Sequence, residues 1–332
     1  MTQNKDNSEE TEAAAADRLV RKLRFGHLLL LDAVERLGTL QQAADELNLS
    51  RSAVGKSLSE IELATRYNLF ERTQRGLKPS IAGMIFVRGA RRMLNDLKAI
   101  TTDASLARHG DSSLLRVGAA PFLGGTLAPA VIGRALATLP GLQVRLTQAR
   151  FPQLVEALHE ARLDCLLTSV TMELIRPEVA RNLHIEPLYA APHSILAPRK
   201  APWTRRRAWQ LKDLATARWV MLPRPGAWRL TLESAFLNAG CTPPEPVVET
   251  NVVFSHAALA AAANALVLLP QPLVPDALQD GKLIALKVDP VPGIDSIAFV
   301  TGNRTSPSLE VFRIAAHAIA SRFNGSAPRS TG

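Results

Sequence analysis

The chain has 332 residues, of which 47% are hydrophobic and 21% charged, and its formal net charge is +9. This length allows two or three domains of ordinary size, and the composition is that of a soluble globular protein. The two isolated cysteines, Cys165 and Cys241, give no support to a metal site or a disulfide framework, and we expect both to be buried and reduced. No apolar run reaches the ~18 residues that span a bilayer.

Charge is distributed unevenly along the chain. Residues 1–20 are polar and largely acidic, unlike a signal peptide, and predict a disordered leader on a protein that stays in the cytoplasm. Residues 18–108 carry 16 basic and 9 acidic side chains. This excess suits a polyanionic partner, although a basic surface also serves solubility.

The first strong helical pattern covers residues 23–37 and ends at Gly38, a favourable C-cap residue. Thr39 follows as an N-cap, and Gln42 completes a capping box for a short helix. Residues 48–50 interrupt the apolar pattern, so the spacing predicts a tight turn between two helices.

Ser50 predicts the N-cap of a second helix, in which Val54, Leu58 and Ile61 share one apolar face. The opposite face is polar and basic at its N-terminal end, a pattern that fits the DNA major groove. An ordinary helical hairpin with a solvated face is the alternative. The outward residues are Arg51, Ser52, Gly55, Lys56 and Ser59.

Residues 68–80 predict a short hairpin, or wing, beside the helix pair. Gly76 can supply its turn, and Arg72, Arg75 and Lys78 suit phosphate or minor-groove contacts.

Taken together, residues 39–83 resemble the LysR-type transcriptional regulators. The resemblance implies a winged helix-turn-helix DNA-binding domain over residues 21–80, with double-stranded DNA as partner and RNA polymerase as a further candidate. Arg51, Ser52 and Gly55 depart from the family pattern, which points to an unusual operator. The matching residues are Thr39, Leu40, Ala43, Ala44, Leu47, Ser50, Ala53, Val54, Leu58, Glu62, Leu69, Phe70, Arg72, Ser80, Ala82 and Gly83. The predicted DNA-binding residues are Gln41, Ser50, Arg51, Ser52, Lys56, Arg72 and Arg75.

A long helix is predicted over residues 80–108, with Ser80 as its cap and a heptad-like apolar seam. Pairing with a second copy is the simplest way to cover this seam, and the alternative is packing on the chain's own C-terminal half. The family resemblance implies a homodimer through this linker helix and a homotetramer overall. The predicted dimerisation residues are Phe86, Ala90, Met93, Leu97 and Ile100.

Beyond a polar hinge at residues 109–113, strand and helix patterns alternate, which predicts a doubly wound parallel sheet. This part resembles the two-lobed effector domain of the same family, which is similar to type 2 periplasmic binding proteins. The fold class is therefore α/β overall, with an all-α winged domain, a linker helix and a two-lobed α/β domain over 114–323. We expect lobe I at about 114–186 and 290–323, lobe II at about 187–289, crossovers near 186–190 and 286–292, and a disordered tail at 324–332.

Ligands of such folds bind at the carboxyl ends of the strands. Two arginines and an aromatic residue near one cleft suggest a small, anionic effector such as an aromatic carboxylate. The alternative is that both arginines are solvated surface groups and that Trp228 serves only packing. The basic cluster of residues 199–207 is interpreted as an exposed loop and not as a second nucleic-acid site. The candidate effector-binding residues are Phe122, Arg150, Thr168, Arg224, Trp228 and Asn251.

The sequence shows no constellation typical of an enzyme: no dinucleotide or phosphate-loop motif, no nucleophile elbow, and no histidines at metal spacing. We therefore expect no catalytic residue, no metal and no cofactor. The alternative function is that of a solute-binding protein in a transport system. Such a protein would need a secretion signal and would lack the N-terminal helix pair.

Overall fold

Three helices form the start of the fold, and their bounds follow the predicted caps. The computed structural model describes residues 19–74, 76–107, 113–170, 183–205, 208–224, 226–290 and 292–324. Of the predicted disordered leader at residues 1–20 and tail at 324–332, only residues 19, 20 and 324 fall within these ranges, and all three are helical, in contrast to the prediction. The helices are α1 (Phe25–Leu37), α2 (Leu40–Leu47) and α3 (Arg51–Thr65).

Each helix boundary has a local cause. Gly38 ends α1 with φ +74°, a left-handed conformation that glycine adopts at little cost. Thr39 Oγ1 accepts from the Gln42 backbone N–H at 3.2 Å, and Ser50 Oγ accepts from Ala53 N–H at 3.1 Å, so both predicted N-caps are confirmed. The apolar faces then pack into one core with Leu31, Val34, Ala43, Ala44, Val54, Leu58 and Ile61.

The predicted wing is confirmed as an antiparallel hairpin of β1 (Phe70–Thr73) and β2 (Gly76–Pro79). It lies directly against the C-terminal end of α1, where Leu77 N–H donates to Gly38 O at 2.7 Å. A Cβ at Gly76 would lie 2.3 Å from that carbonyl oxygen, and its φ is +124°. Glycine is therefore required here for backbone contact.

The long helix is α4 (Ile81–Ala107), and it begins as predicted because Ser80 Oγ accepts from Gly83 N–H at 3.0 Å. Arg91 fixes it to α1 through ion pairs of 2.5 Å to both Asp32 and Glu35. These hydrogen bonds stabilise the cation enough to raise the pKa of Arg91 despite its partial burial.

The chain continues into a larger α/β region. Its first part alternates parallel strands with helices before a long strand, in the order β3 (Ser113–Ala119), α5 (Pro121–Gly125), α6 (Leu127–Thr138), β4 (Leu142–Gln148), α7 (Phe151–His159), β5 (Cys165–Val170) and β6 (His184–Pro198). The remaining elements are β7 (Trp209–Gln210), β8 (Trp219–Met221), α8 (Ala227–Asn238), β9 (Val248–Glu249), α9 (His256–Ala263), β10 (Leu266–Pro270), α10 (Val274–Leu278), β11 (Leu283–Ala285), β12 (Val288–Asp289), β13 (Ile294–Thr301) and α11 (Pro307–Asn324).

Within the described residues, nine strands form one continuous sheet in the order β4-β3-β5-β13-β6-β10-β8-β9, with β11 also paired to β6. The strand β6 serves both lobes, because its residues 184–192 pair with β13 and its residues 193–198 pair with β10 or β11. The chain thus passes between lobes at Pro192 and His193, a few residues later than the predicted crossover at 186–190.

The parallel pairing predicted from strand–helix alternation is confirmed for β3, β4 and β5, and the complete sheet is mixed because it also contains antiparallel pairs. Strand β13 runs antiparallel to β5 and β6, and β6 runs antiparallel to β10. The strand–helix alternation correctly indicates the parallel pairs within each lobe, such as β3 with β4 and β8 with β10. The strands β6 and β13, which connect the two lobes, are not part of a strand–helix–strand pattern. Their direction follows only from the passage of the chain to lobe II and its return to lobe I.

Several elements of this region are short. The helical segment after β3 is divided at Thr126 into α5 and α6, and β9 comprises only Val248–Glu249. Strand β12 pairs with β7 in a separate small sheet.

The described residues divide into two compact units. One contains the residues up to 107 together with 159–162, and the other contains the remaining residues from 113 onward. Each unit has its own apolar core: the first is built on α1 to α4, and the second on the large sheet and its helices. No helix within the described ranges is long and apolar enough to cross a membrane.

Candidate functional site

The N-terminal part of α3 has two different faces. Val54 and Ile61 are completely buried against α1 and α2, whereas Arg51, Ser52 and Lys56 are exposed. Within the described residues, neither Arg51 nor Lys56 has a salt-bridge partner, so both cations are available to an external anion. We call Arg51, Ser52 and Lys56 the exposed face of α3.

The neighbouring predicted residues are also exposed, but their side chains already make local contacts. Ser50 Oγ caps α3 and lies 2.9 Å from Ser52 Oγ. The Gln41 side chain donates to Asp45 Oδ1 at 2.8 Å along α2. These groups are therefore held in place beside the exposed face of α3.

In the wing, Arg72 is exposed at the centre of β1, as predicted. Arg75 lies outside the described residues. Glu62 has a role that its sequence pattern does not reveal: its Oε1 accepts from the backbone N–H groups of Leu69 (2.8 Å) and Phe70 (3.2 Å). This carboxylate joins the end of α3 to the start of the wing.

The seam predicted on the long helix α4 is only partly available to a partner. Ala90 is fully buried in the chain's own N-terminal core, so its prediction as a dimerisation residue is corrected. Phe86 packs against that core and is only partly buried, and its role in dimerisation stays a prediction. The helix packs on α1 over this stretch, which the heptad count alone does not reveal. Met93, Leu97 and Ile100 are 49%, 42% and 60% exposed. Ile81, Met84 and Ile85, which were not predicted, are exposed as well.

A cavity of about 520 Å³ lies between the two lobes, and five of the six predicted effector-binding residues line it. Ala120, Phe122 and the segment 150–153 come from lobe I, as do Thr168 and Ser169 at the end of β5. Lobe II contributes the turn before α8, together with Asn251 and Val253. We call this space the interlobe cavity; its predicted lining residues are Phe122, Arg150, Thr168, Trp228 and Asn251.

Arg224 is the exception, because it does not line the interlobe cavity. Its guanidinium is bound to Glu233 at 2.8 Å and to Glu245 at 3.5 Å. The buried Arg229 binds Glu233 as well, at 2.6 Å. Partial burial acts to raise the pKa of Glu233, but hydrogen bonds from the two arginines outweigh it and lower that pKa. Arg224 thus belongs to an ion-pair cluster at the surface of lobe II.

Two aromatic rings from opposite lobes meet at the cavity wall. The rings of Phe122 and Trp228 make an edge contact, with centroids 5.2 Å apart. Trp228 Nε1–H donates to Asp295 Oδ2 at 3.0 Å, and both residues are buried. His193 Nε2 lies 3.3 Å from the same oxygen but without hydrogen-bond geometry. Asp295 was not predicted, since a lone acid in a strand gives no sequence signal.

A second contact between the lobes involves Phe254 and Gly125. A Cβ added to Gly125 would lie 2.4 Å from the Phe254 ring, so the ring occupies the space left by the missing side chain. Phe254 is 53% exposed and precedes α9 in lobe II. Together with the Phe122–Trp228 contact, it gives two places where residues of the two lobes touch.

The two cysteines differ in their surroundings. Cys165 is fully buried in β5, and burial raises the pKa of its thiol well above the usual value. Cys241 is only partly buried, in contrast to the prediction that both are buried. Both are free thiols.

Comparison with known proteins gives matches to two family models. Residues 25–84 match the model described as "Bacterial regulatory helix-turn-helix protein, lysR family", and residues 108–319 match the "LysR substrate binding domain". The first covers the helix pair and the wing, and the second covers both lobes and the interlobe cavity.

Individual relatives agree with these matches. The HTH-type transcriptional regulator GalR of Pseudomonas putida is 33% identical over 64% of this chain, although the match spans only about half (52%) of that protein. The HTH-type transcriptional regulator YdcI of Escherichia coli is 27% identical over 82% of this chain and 86% of its own length. The crystal structure of full-length CbnR in complex with its target DNA has the same fold, with a TM-score of 0.61 at 20% identity over 90% of this chain and all (100%) of CbnR.

Proposed function

This chain belongs to the LysR family of bacterial transcriptional regulators, and on that basis we propose that it binds operator DNA through the exposed face of α3. The recognition helix enters the major groove with its N-terminal end, where Arg51 and Lys56 reach base edges. Gln41, Ser50 and Ser52 position the helix on the DNA backbone, and Arg72 and Arg75 of the wing contact phosphates or the minor groove.

One observation carries this proposal: α3 buries its apolar side completely while two cations on its other side have no acidic partner among the described residues. Cations at the N-terminal end of a helix oppose its macrodipole, so Arg51 in the first turn does not stabilise α3 itself. Such cations attract phosphate and can bind guanine through hydrogen bonds.

We also infer a homodimer through α4. Its exposed apolar residues Met93, Leu97 and Ile100 need a cover, and a second copy of the same helix provides one. A two-fold dimer requires a roughly palindromic site with half-sites about one helical turn, or a multiple of it, apart. In the homotetramer, the effector domains supply the further contacts, and RNA polymerase is the partner in activation.

The interlobe cavity is the proposed effector site, and the effector is a small anion. Arg150 supplies the cation, and Phe122, Thr168, Trp228 and Asn251 supply apolar and hydrogen-bonding contacts. A ligand that binds one angle between the lobes better than another shifts the population of those angles. This change alters the spacing of the DNA-binding domains and therefore their fit to the operator.

A solute-binding protein of a transport system would use the same two lobes and cavity. The helix pair with its basic exposed face argues against that role, since capture of a solute does not need it. We therefore keep transcriptional regulation as the function.

The test is a gel shift with purified full-length protein on the DNA upstream of its own gene, with a scrambled fragment of equal length as control. The proposal predicts a shift of the upstream fragment that survives excess scrambled competitor. A mixture of carboxylate metabolites should change the affinity or the pattern of bands. Equal binding to both fragments, or binding to neither, would overturn the proposal.

A further inference from the structure

The interlobe cavity has a single ionisable side chain among its described lining residues, that of Arg150. Its remaining polar lining groups are the neutral side chains of Gln153, Thr168, Ser169 and Asn251. The cavity can therefore neutralise one negative charge of a ligand with a full positive charge. Neither a positive charge nor a second negative charge on the ligand would find an opposite charge in the described lining.

Arg150 is suited to pair with a ligand. Its side chain is exposed and has no salt-bridge partner within the described part of the chain, unlike Arg224 and Arg229, which bind glutamates. The backbone of Arg150 is held at the start of α7, because its N–H donates to Gln153 Oε1 at 3.2 Å. A guanidinium fork binds a planar carboxylate through two parallel hydrogen bonds.

The wall of the cavity is aromatic and offers little polarity. Phe122, Phe151 and Trp228 line it, and the Trp228 N–H is already used by Asp295 at 3.0 Å. Trp228 therefore presents a ring surface and no free donor to a ligand. Ring surfaces of this kind pack favourably on a flat apolar body.

One buried hydroxyl can orient a ligand in the cavity through a hydrogen bond. Thr168 is 1% exposed, and the bond its hydroxyl makes, to the Ser169 carbonyl, is long at 3.3 Å. The hydroxyl can turn toward a ligand oxygen, since a better acceptor compensates for the loss of a weak bond.

We propose that the interlobe cavity selects a monoanionic aromatic carboxylate, with one carboxylate on Arg150 and an uncharged ring against Phe122 and Trp228. This inference rests on the proposed function and narrows the anionic effector to one class. An amino acid is rejected because its ammonium group would be desolvated without a carboxylate partner among the described lining residues. A dicarboxylate is rejected because its second charge would find no further cation in that part of the lining, and a neutral amide gains no ion pair.

The cavity volume agrees with this class. About 520 Å³ lies within the range of pockets that enclose a small organic ligand, which is about 300–1,000 Å³. A single-ring carboxylate fits with room for a few ring substituents.

The experiment measures the melting temperature of the full-length protein with four single-ring probes: benzoate, phthalate, phenylalanine and benzamide. Benzoate near tenfold Kd should raise the melting temperature by about 3 °C or more, and the other three should raise it by much less. The Arg150→Gln variant should lose the benzoate response. Arg145→Gln, which removes an exposed arginine on β4 that does not line the cavity, should keep it.

The proposal is overturned if benzoate has no effect, if phthalate or phenylalanine stabilises as well as benzoate, or if Arg150→Gln responds like the wild type. A gel shift without ligand separates this outcome from failure of the proposed function. Specific DNA binding without a benzoate response refutes only the ligand class, whereas a benzoate response without specific DNA binding refutes only the regulatory role.

Discussion

Glu62 in α3 accepts a hydrogen bond of 2.8 Å from the backbone N–H of Leu69, and thereby fixes the wing to the end of the proposed recognition helix. The same oxygen also accepts from Phe70 N–H at 3.2 Å. Leu69 and Phe70 are buried, so their N–H groups have little access to water. This carboxylate therefore satisfies two buried donors at the point where the chain passes from α3 into the wing.

Replacing Glu62 by Ala should destabilise the N-terminal unit by about 1–3 kcal/mol, because two buried N–H groups lose their acceptor. Glu62→Gln keeps an acceptor oxygen and should cost less. Glu60→Ala, an exposed change on the same helix, is the control. Urea unfolding followed by circular dichroism measures the difference, and equal stability of the Glu62→Ala and Glu60→Ala variants would refute this role.

Gly55 lies inside α3, where glycine costs about 1 kcal/mol relative to alanine. A Cβ there would meet only Leu40 Cδ1, at an ordinary contact distance of 3.8 Å. Gly55→Ala should therefore raise the free energy of unfolding by about 0.5–1 kcal/mol. Gly76→Ala should lower it, because its Cβ would lie 2.3 Å from Gly38 O. A loss of stability in Gly55→Ala would show that α3 and α2 are closer than described.

Trp228→Phe should destabilise the two-lobed unit by about 1–3 kcal/mol, since the buried Asp295 loses its hydrogen-bond donor. The remaining tryptophans, Trp203, Trp209 and Trp219, report unfolding by fluorescence. Adding Asp295→Asn to Trp228→Phe should recover part of the loss, because a neutral amide is less costly to bury unpaired than a carboxylate. A double variant less stable than Trp228→Phe would contradict the assigned pair.

Burial lowers the pKa of His256, although its Nδ1 makes hydrogen bonds to the carbonyls of Val252 and Val253 that act in the opposite direction. The folded state thus favours the neutral ring, and the unfolded state binds more protons below its own pKa of about 6.5. Stability should be fully retained above about pH 6.5 and fall on acidification, by at most about 1.4 kcal/mol per pH unit from this group.

The His256→Gln variant should lose less stability than the wild type between about pH 7.5 and 5.5. His184→Gln makes the same substitution at an exposed histidine and serves as the matched variant for comparison. Tryptophan fluorescence during urea unfolding at each pH gives the comparison. Parallel pH profiles of the His256→Gln variant and the wild type would refute the contribution of His256.

Features determined by neighbouring residues could be predicted from the sequence. The caps at Thr39 and Ser50, the C-cap at Gly38 and the wing turn at Gly76 depend on local hydrogen bonds and on φ, which residue type reveals. Position at strand ends was also sufficient to identify five of the residues that line the cavity, because parallel strands end at the same edge of a sheet.

Features determined by distant partners could not be predicted. Arg224 follows a strand as Arg150 follows β4, yet Glu233 and Glu245 hold it away from the cavity. Ala90 fits the heptad seam, but α1 already covers it. The pairing of Trp228 with Asp295 joins residues 67 positions apart and leaves no local pattern.

The most direct test of the central claim measures the affinity of Lys56→Ala for the operator and for a scrambled duplex by fluorescence anisotropy. The matched control is Lys98→Ala, which removes the same charge from an exposed site on α4. If Lys56 reads a base, Lys56→Ala should lose about 1–3 kcal/mol on the operator and much less on the scrambled duplex, and Lys98→Ala should bind the operator like the wild type. Wild-type affinity of Lys56→Ala for the operator, or an equal loss on both duplexes, would contradict sequence reading by Lys56 on the exposed face of α3.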